Sequence, residues 1–196
     1  GAMKDAEMVY GAILEAGQEF GIRQLAFPNY CRNHTQAGYP NQWIQFWYPI
    51  LSSGENLRDY ILAIPHLGHM YKSYPFFGSA SDDAENAFVT PFDVDWDYLI
   101  NYDHDFIGKQ ALEKLRENPP RKVVTLEWNA EDIGKVYASQ FMGTDAEPCD
   151  EIISVGDGGE APFFMSKVLL GGEMVGVAAG RTRDYYHRRM ISLAYI

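Results

Sequence analysis

The chain has 196 residues, with 16 basic residues against 27 acidic ones and a formal net charge of −11. This length suits one domain or two small ones, and 46% hydrophobic residues exclude a chain disordered by composition. The acidic balance excludes nucleic acid and anionic membrane surfaces as bulk partners, because both would repel it.

Two cysteines, Cys31 and Cys149, make no disulfide framework and lie in no CxxC pair, which fits a reducing cytoplasm. No apolar run is long enough for a transmembrane helix. Residues 1–3 read as a tag remnant, with no signal peptide after them.

Val9, Ile13, Ala16 and Phe20 recur at helical spacing, and Gly21 is a natural stop, so residues 5–20 are expected to form an amphipathic helix. Residues 21–26 read as a turn into a short strand. Pro28, Asn29, Asn33 and Gly38-Tyr39-Pro40 then punctuate an expected loop.

Residues 41–104 are rich in aromatics, among them Trp43, Trp47 and Trp96, and are broken by Pro49, Pro65, Pro75 and Pro91. They read as packed loops and short helices, one of them following a turn at Gly54-Glu55-Asn56 and running through Leu57, Tyr60, Ile61 and Ile64. A further helix is expected with Asp105 as its N-cap and Ile107, Ala111, Leu112 and Leu115 as its buried stripe, ended by Asn118-Pro119-Pro120.

The pattern then changes to strands at residues 123–128, 163–170, 173–179 and 190–196, with Gly171-Gly172 as a hairpin turn. Such spacing suggests a small barrel or sandwich. The last apolar strand either pairs internally or marks a cut chain, since exposed edges invite aggregation.

Few sequence motifs carry chemistry. His66 and His69 lie three apart, but Pro65 and Gly68 break the helix that would align them, so no metal site is expected. No GxSxG, GxGxxG or P-loop pattern occurs. Asp103-His104-Asp105 reads as helix capping, Ser52-Ser53-Gly54 as a turn, and Gly156-Asp157-Gly158-Gly159 as a loop or hairpin.

Tyr30-Cys31-Arg32-Asn33-His34 is the densest group of potential acids, bases and donors, on the expected loop. Arg181, Arg183, Arg188 and Arg189 form the cationic cluster of an acidic chain. Arg181 and Arg183 are candidate contacts for a carboxylate or phosphate.

Three stretches together resemble the glycine-cleavage T-protein (aminomethyltransferase) superfamily. They are residues 15–22 continuing to Gln36-Ala37-Gly38-Tyr39-Pro40; Asp105-Phe106-Ile107-Gly108-Lys109-Gln110-Ala111-Leu112; and residues 121–127 with 191–196. Within it, Tyr102-Asp103-His104-Asp105-Phe106-Ile107-Gly108, residues 124–129, Ser81-Asp82-Asp83 and Thr90-Pro91-Phe92-Asp93 resemble the tetrahydrofolate-dependent aryl O-demethylases of the vanillate and syringate type. Where T-proteins carry charged residues, this chain has Tyr30, His34 and Gln36, which points away from glycine cleavage.

The resemblance implies an α+β carboxy-terminal fragment of the T-protein fold. Residues 4–48 would be the tail of a folate-binding α/β domain, 49–120 an aromatic connector, and 121–196 a truncated antiparallel, barrel-like β domain. It implies Tyr30 as the catalytic acid and Asn33, Gln36 and Tyr39 as cofactor- or substrate-binding residues. It implies tetrahydrofolate and a methoxylated aromatic acid as partners of the full-length protein, and little folate binding by this chain alone. An aminomethyl or other methyl donor, or a non-catalytic folate-binding module, stays open as an alternative.

Overall fold

The computed structural model describes residues 2–42, 44–47, 49, 54–67, 76–155 and 163–196. Trp43, Ser52-Ser53, His69 and Gly156-Asp157-Gly158-Gly159 lie outside the described residues.

Among the described residues, α1 (Ala6–Gly17), α2 (Phe27–Gln36), α3 (Glu55–Ala63), α4 (Lys109–Glu117) and α5 (Ala130–Ser139) are α-helices. The strands among them are β1 (Phe76–Phe77), β2 (Val123–Glu127), β3 (Phe163–Leu170), β4 (Glu173–Asp184) and β5 (Arg189–Tyr195). They form one sheet in the order β1-β3-β4-β5-β2. The β1–β3 pair is parallel and the rest are antiparallel. The mixture matches the expected α+β class. Barrel closure is not seen among the described residues, where β1 and β2 are the two edges.

Strand β5 pairs with β4 on one side and β2 on the other, so the apolar run at residues 190–196 is central and not an edge. Leu193 and Ala194 are fully buried and Tyr195 nearly so. Burial pushes the Tyr195 phenol well above its ordinary pKa, although Arg121 nearby pulls against it.

Residues from the aromatic-rich stretch at 41–104 supply side chains that cover the sheet. Trp47, Ala80 and Ala87 pack with Phe163, Met165, Val177 and Ala179, and Phe46 and Val94 pack with Tyr195. Asp93 is locked beneath them: its Oδ2 accepts from Arg121 Nη2 at 2.9 Å and from the Thr90 amide at 2.8 Å. Gly78 lies so close to β3 that a Cβ there would meet the Met165 carbonyl oxygen at 2.1 Å.

Several expectations are corrected. Helix α1 forms and ends through a 3-10 turn at left-handed Gly21, but Val9, Ile13 and Phe20 are exposed rather than buried as an amphipathic stripe would be. Residues 22–26 form no strand, since none of the described strands pairs with them. Asp105 caps nothing: α4 begins later, from left-handed Gly108, and Ile107 is fully exposed. Lys109 Nζ closes the preceding turn instead, donating to the Tyr102 carbonyl at 2.6 Å. Helix α5 was not expected. Asn129 is its N-cap, accepting from the Glu131 and Asp132 amides.

Candidate active site

Residues 27–36 are helix α2, not a loop. Pro28 stands in its first turn, where a missing N–H costs nothing and the fixed φ favours the helix. Its other end is closed by Gly38, whose left-handed φ of 66° lets the Tyr39 amide donate back to the His34 carbonyl and its own amide to Thr35. The chain thereby reverses, and Pro40 and Asn41 return alongside the helix.

The helical period sorts the side chains. Cys31 and Thr35, four apart, are buried toward the sheet. Thr35 Oγ1 donates to the Gly180 carbonyl at 3.1 Å and accepts from Gln45 Nε2 at 2.8 Å. Gly180 is left-handed at a register shift of β4, and a Cβ there would meet Gln45 Nε2 at 2.3 Å. This bulge is what allows α2 and the 44–47 segment to approach the sheet. Burial raises the Cys31 thiol, so Cys31 is a packing residue in its unreactive, protonated form.

Tyr30 and His34, also four apart, are in tilted ring contact, with centroids 4.4 Å apart and planes at 59°. Tilted contacts continue through Tyr39, 5.6 Å from His34, to Trp96, 5.3 Å from Tyr39. Tyr30 and Tyr39 are 46% and 43% exposed, so part of this aromatic group faces solvent. Asn41 Nδ2 donates to the Tyr30 phenol oxygen at 2.7 Å and lies 3.3 Å from His34 Nε2. The backbone of Asn41 is itself held, because its main-chain N–H donates to Gln45 Oε1 at 2.7 Å. The phenol oxygen thus accepts an oriented hydrogen bond from Asn41.

Gln36 lies at the far end of α2 and donates to Asp184 Oδ1 at 2.9 Å. Asp184 also accepts from the Tyr186 and His187 amides and from His187 Nδ1. Burial alone would raise the Asp184 carboxyl. The bonds and charge from His187, with the Gln36 bond, outweigh it and hold the carboxyl below the usual range. Asn33 is exposed on α2 and makes no side-chain hydrogen bond to the Tyr30 group.

Arg181 and Arg183 do not converge on one anion. Both project from β4 opposite to Asp184, but they line separate hollows flanking α5. Arg181 lies over Phe164, with Cζ 3.7 Å from the ring centroid, while Arg183 lies 5.5 Å from the Tyr185 centroid. Arg32 of α2 reaches the same Tyr185 ring at 5.3 Å.

Of the sequence candidates, the fold therefore brings Tyr30, His34 and Tyr39 into one group, joined by Asn41 and Trp96, which sequence reasoning had not assigned to the site. The turn glycine and proline just before Asn41 were the available signal for its return to Tyr30. No group of three or more potential metal ligands occurs among the described residues.

The Tyr30 phenol, which accepts from the Asn41 side-chain amide, thus stands at one end of a chain of ring contacts that runs through His34 and Tyr39 to Trp96. No family model matches the chain. It is 38% identical to the sesamin methylene transferase of Sinomonas sp. (strain No.22), over all of this chain and 45% of that protein. It is 28% identical to the syringate O-demethylase of Sphingobium sp. (strain NBRC 103272 / SYK-6), over all of this chain and 41% of that protein. An aminomethyltransferase of Thermotoga neapolitana is 36% identical over 37% of this chain and 23% of its own length. The chain is a relative of these enzymes, as the sequence motifs indicated, and it spans less than half the length of the first two.

Proposed function

We propose that this chain forms part of a tetrahydrofolate-dependent transferase that removes a one-carbon group from an aryl ether, with a methoxylated aromatic acid as the donor. The observation that carries this reading is the Tyr30 phenol, oriented by Asn41 at 2.7 Å, in a chain related along its whole length to an O-demethylase and a methylene transferase.

Tetrahydrofolate, when bound, supplies the N5 nitrogen that accepts the carbon. In such a transfer the aryl oxygen would leave as a phenolate, which departs poorly unless protonated or hydrogen-bonded, and the proton that N5 gives up would balance the one the phenol gains. Tyr30 donates that proton or hydrogen bond. Asn41 fixes the phenol oxygen, and His34 packs against the ring in a tilted contact. Tyr39 and Trp96 offer aromatic surface that suits a flat arene or pterin, which favours in-line alignment of donor and acceptor. Asn33, exposed on α2, is proposed as a peripheral contact for cofactor or substrate. Gln36 acts more remotely, by tying α2 to Asp184.

The greater identity to the methylene transferase supports a second donor, one that gives up a methylene group. The role of Tyr30 is the same, since an aryl oxygen again leaves. The test is to incubate the full-length protein with tetrahydrofolate and syringate, vanillate or sesamin, and to identify the phenolic product and the folate product by mass.

A further inference from the structure

On the face of the sheet away from Asp184 and α2 lies a hollow of about 720 Å³ between β3, β4, α5 and residues 150–153. Its size is that of a small-molecule pocket, and its walls are mostly apolar. Phe77 and Phe164, with ring centroids 5.3 Å apart, make an aromatic side. Trp128, Ile133, Val136 and Ile153 complete the apolar lining.

Arg181 is the basic residue that lines it. The guanidinium is fixed twice, by stacking on Phe164 and by donation from Nε to the Ile153 carbonyl at 2.8 Å. Nη2 is buried and has no hydrogen-bond partner among the described residues. A buried charged donor without an acceptor is an unfavourable state that a bound acceptor would relieve. Burial also lowers the guanidinium's pKa, against the opposing charge of Asp150.

Three carboxylates line the same hollow, namely Asp132, Asp150 and Glu151. Asp132 is paired with Lys135 at 2.7 Å. Asp150 and Glu151 are exposed, so water screens them, whereas Nη2 is dehydrated.

We infer that this hollow binds an aromatic carboxylate, its ring against Phe77, Phe164 and Trp128 and its carboxylate on the Arg181 guanidinium. A planar carboxylate matches the fork of an arginine already held flat. The site lies on the opposite face of the sheet from Tyr30 and does not depend on the proposed reaction.

The probe is 2-naphthoate, with 2-naphthamide as its uncharged counterpart. Binding is followed in the 15N-labelled chain by the Trp128 indole N–H signal, assigned with Trp128→Phe, and the Arg181 Nε–H signal. Saturable shifts of both with naphthoate are expected, with at least tenfold weaker binding of the amide. R181M should abolish the preference for the acid, and Tyr30→Phe should leave binding unchanged. If R181M does not fold, D150N at an exposed position serves: it should tighten naphthoate binding severalfold by removing the competing charge. No saturable shift at Trp128, equal binding of acid and amide, or no effect of D150N would overturn the assignment. Loss of demethylation in Tyr30→Phe with naphthoate binding intact would separate this site from the reaction site.

Discussion

Asn41 and Tyr30, eleven positions apart, meet through a 2.7 Å hydrogen bond in which the asparagine amide donates to the phenol oxygen. The reversal at Gly38 makes this contact, and Gln45 keeps Asn41 in place. If Tyr30 assists departure of the aryl oxygen, removing its hydroxyl should slow the chemical step. Tyr30→Phe in the full-length protein is expected to lower kcat by about 10²–10⁴ with little change in KM. Asn41→Ala should cost about tenfold, the worth of one hydrogen bond, and nothing further in the Tyr30→Phe background. Additive losses in this double-mutant cycle would show that Asn41 acts by another route.

Asp93 is fully buried and paired with Arg121, whose side chain is 26% exposed. Truncating the cation would leave a buried carboxylate uncompensated. Arg121→Ala should destabilise the chain by about 3–5 kcal/mol in urea unfolding.

Gly180 holds the bulge on which α2 rests. Its φ of 64° and the 2.3 Å approach of Gln45 Nε2 to a Cβ leave no room for a side chain. Gly180→Ala should cost about 1–3 kcal/mol and lower kcat in the full-length protein, because Gln45 also fixes Asn41. Full activity in a destabilised Gly180→Ala protein would uncouple the bulge from the site.

Asp184 has a folded-state pKa below its ordinary value, so its ionised form is favoured in the folded chain. The stability this gives is present above the unfolded pKa of about 3.9 and is lost as pH falls through the lower folded value. Thermal midpoints measured downward from pH 5 should fall more steeply for the native chain than for Asp184→Asn. Parallel curves would remove Asp184 from the acid limb.

Much of the sheet was legible because its strands carry long apolar runs and a Gly171-Gly172 turn; β3 begins and ends where the sequence predicts. The helices were less so. Pro28 reads equally as loop punctuation or as a first-turn residue, and only packing of Cys31 and Thr35 on β4 decides for the helix. Asn129 followed by Glu131 and Asp132 was a legible cap signal for α5, obscured by Gly134 inside it. The apolar stripe of α1 announced a helix but not what covers it. At the site, Tyr30 and Tyr39 came from family motifs, whereas the Tyr30–Asn41 contact depends on the reversal at Gly38, which the sequence marks as a turn without giving its direction. Arg181 and Arg183 look like one cluster in sequence, yet α5 stands between the hollows they line.

The most direct measurement of the central claim is mass analysis of products from the full-length protein incubated with tetrahydrofolate and each of syringate, vanillate and sesamin. The account predicts a free phenol together with a folate heavier by the transferred one-carbon group, and strong loss of both in Tyr30→Phe. Transfer that proceeds undiminished in Tyr30→Phe, or no one-carbon transfer from any aryl ether, would contradict it.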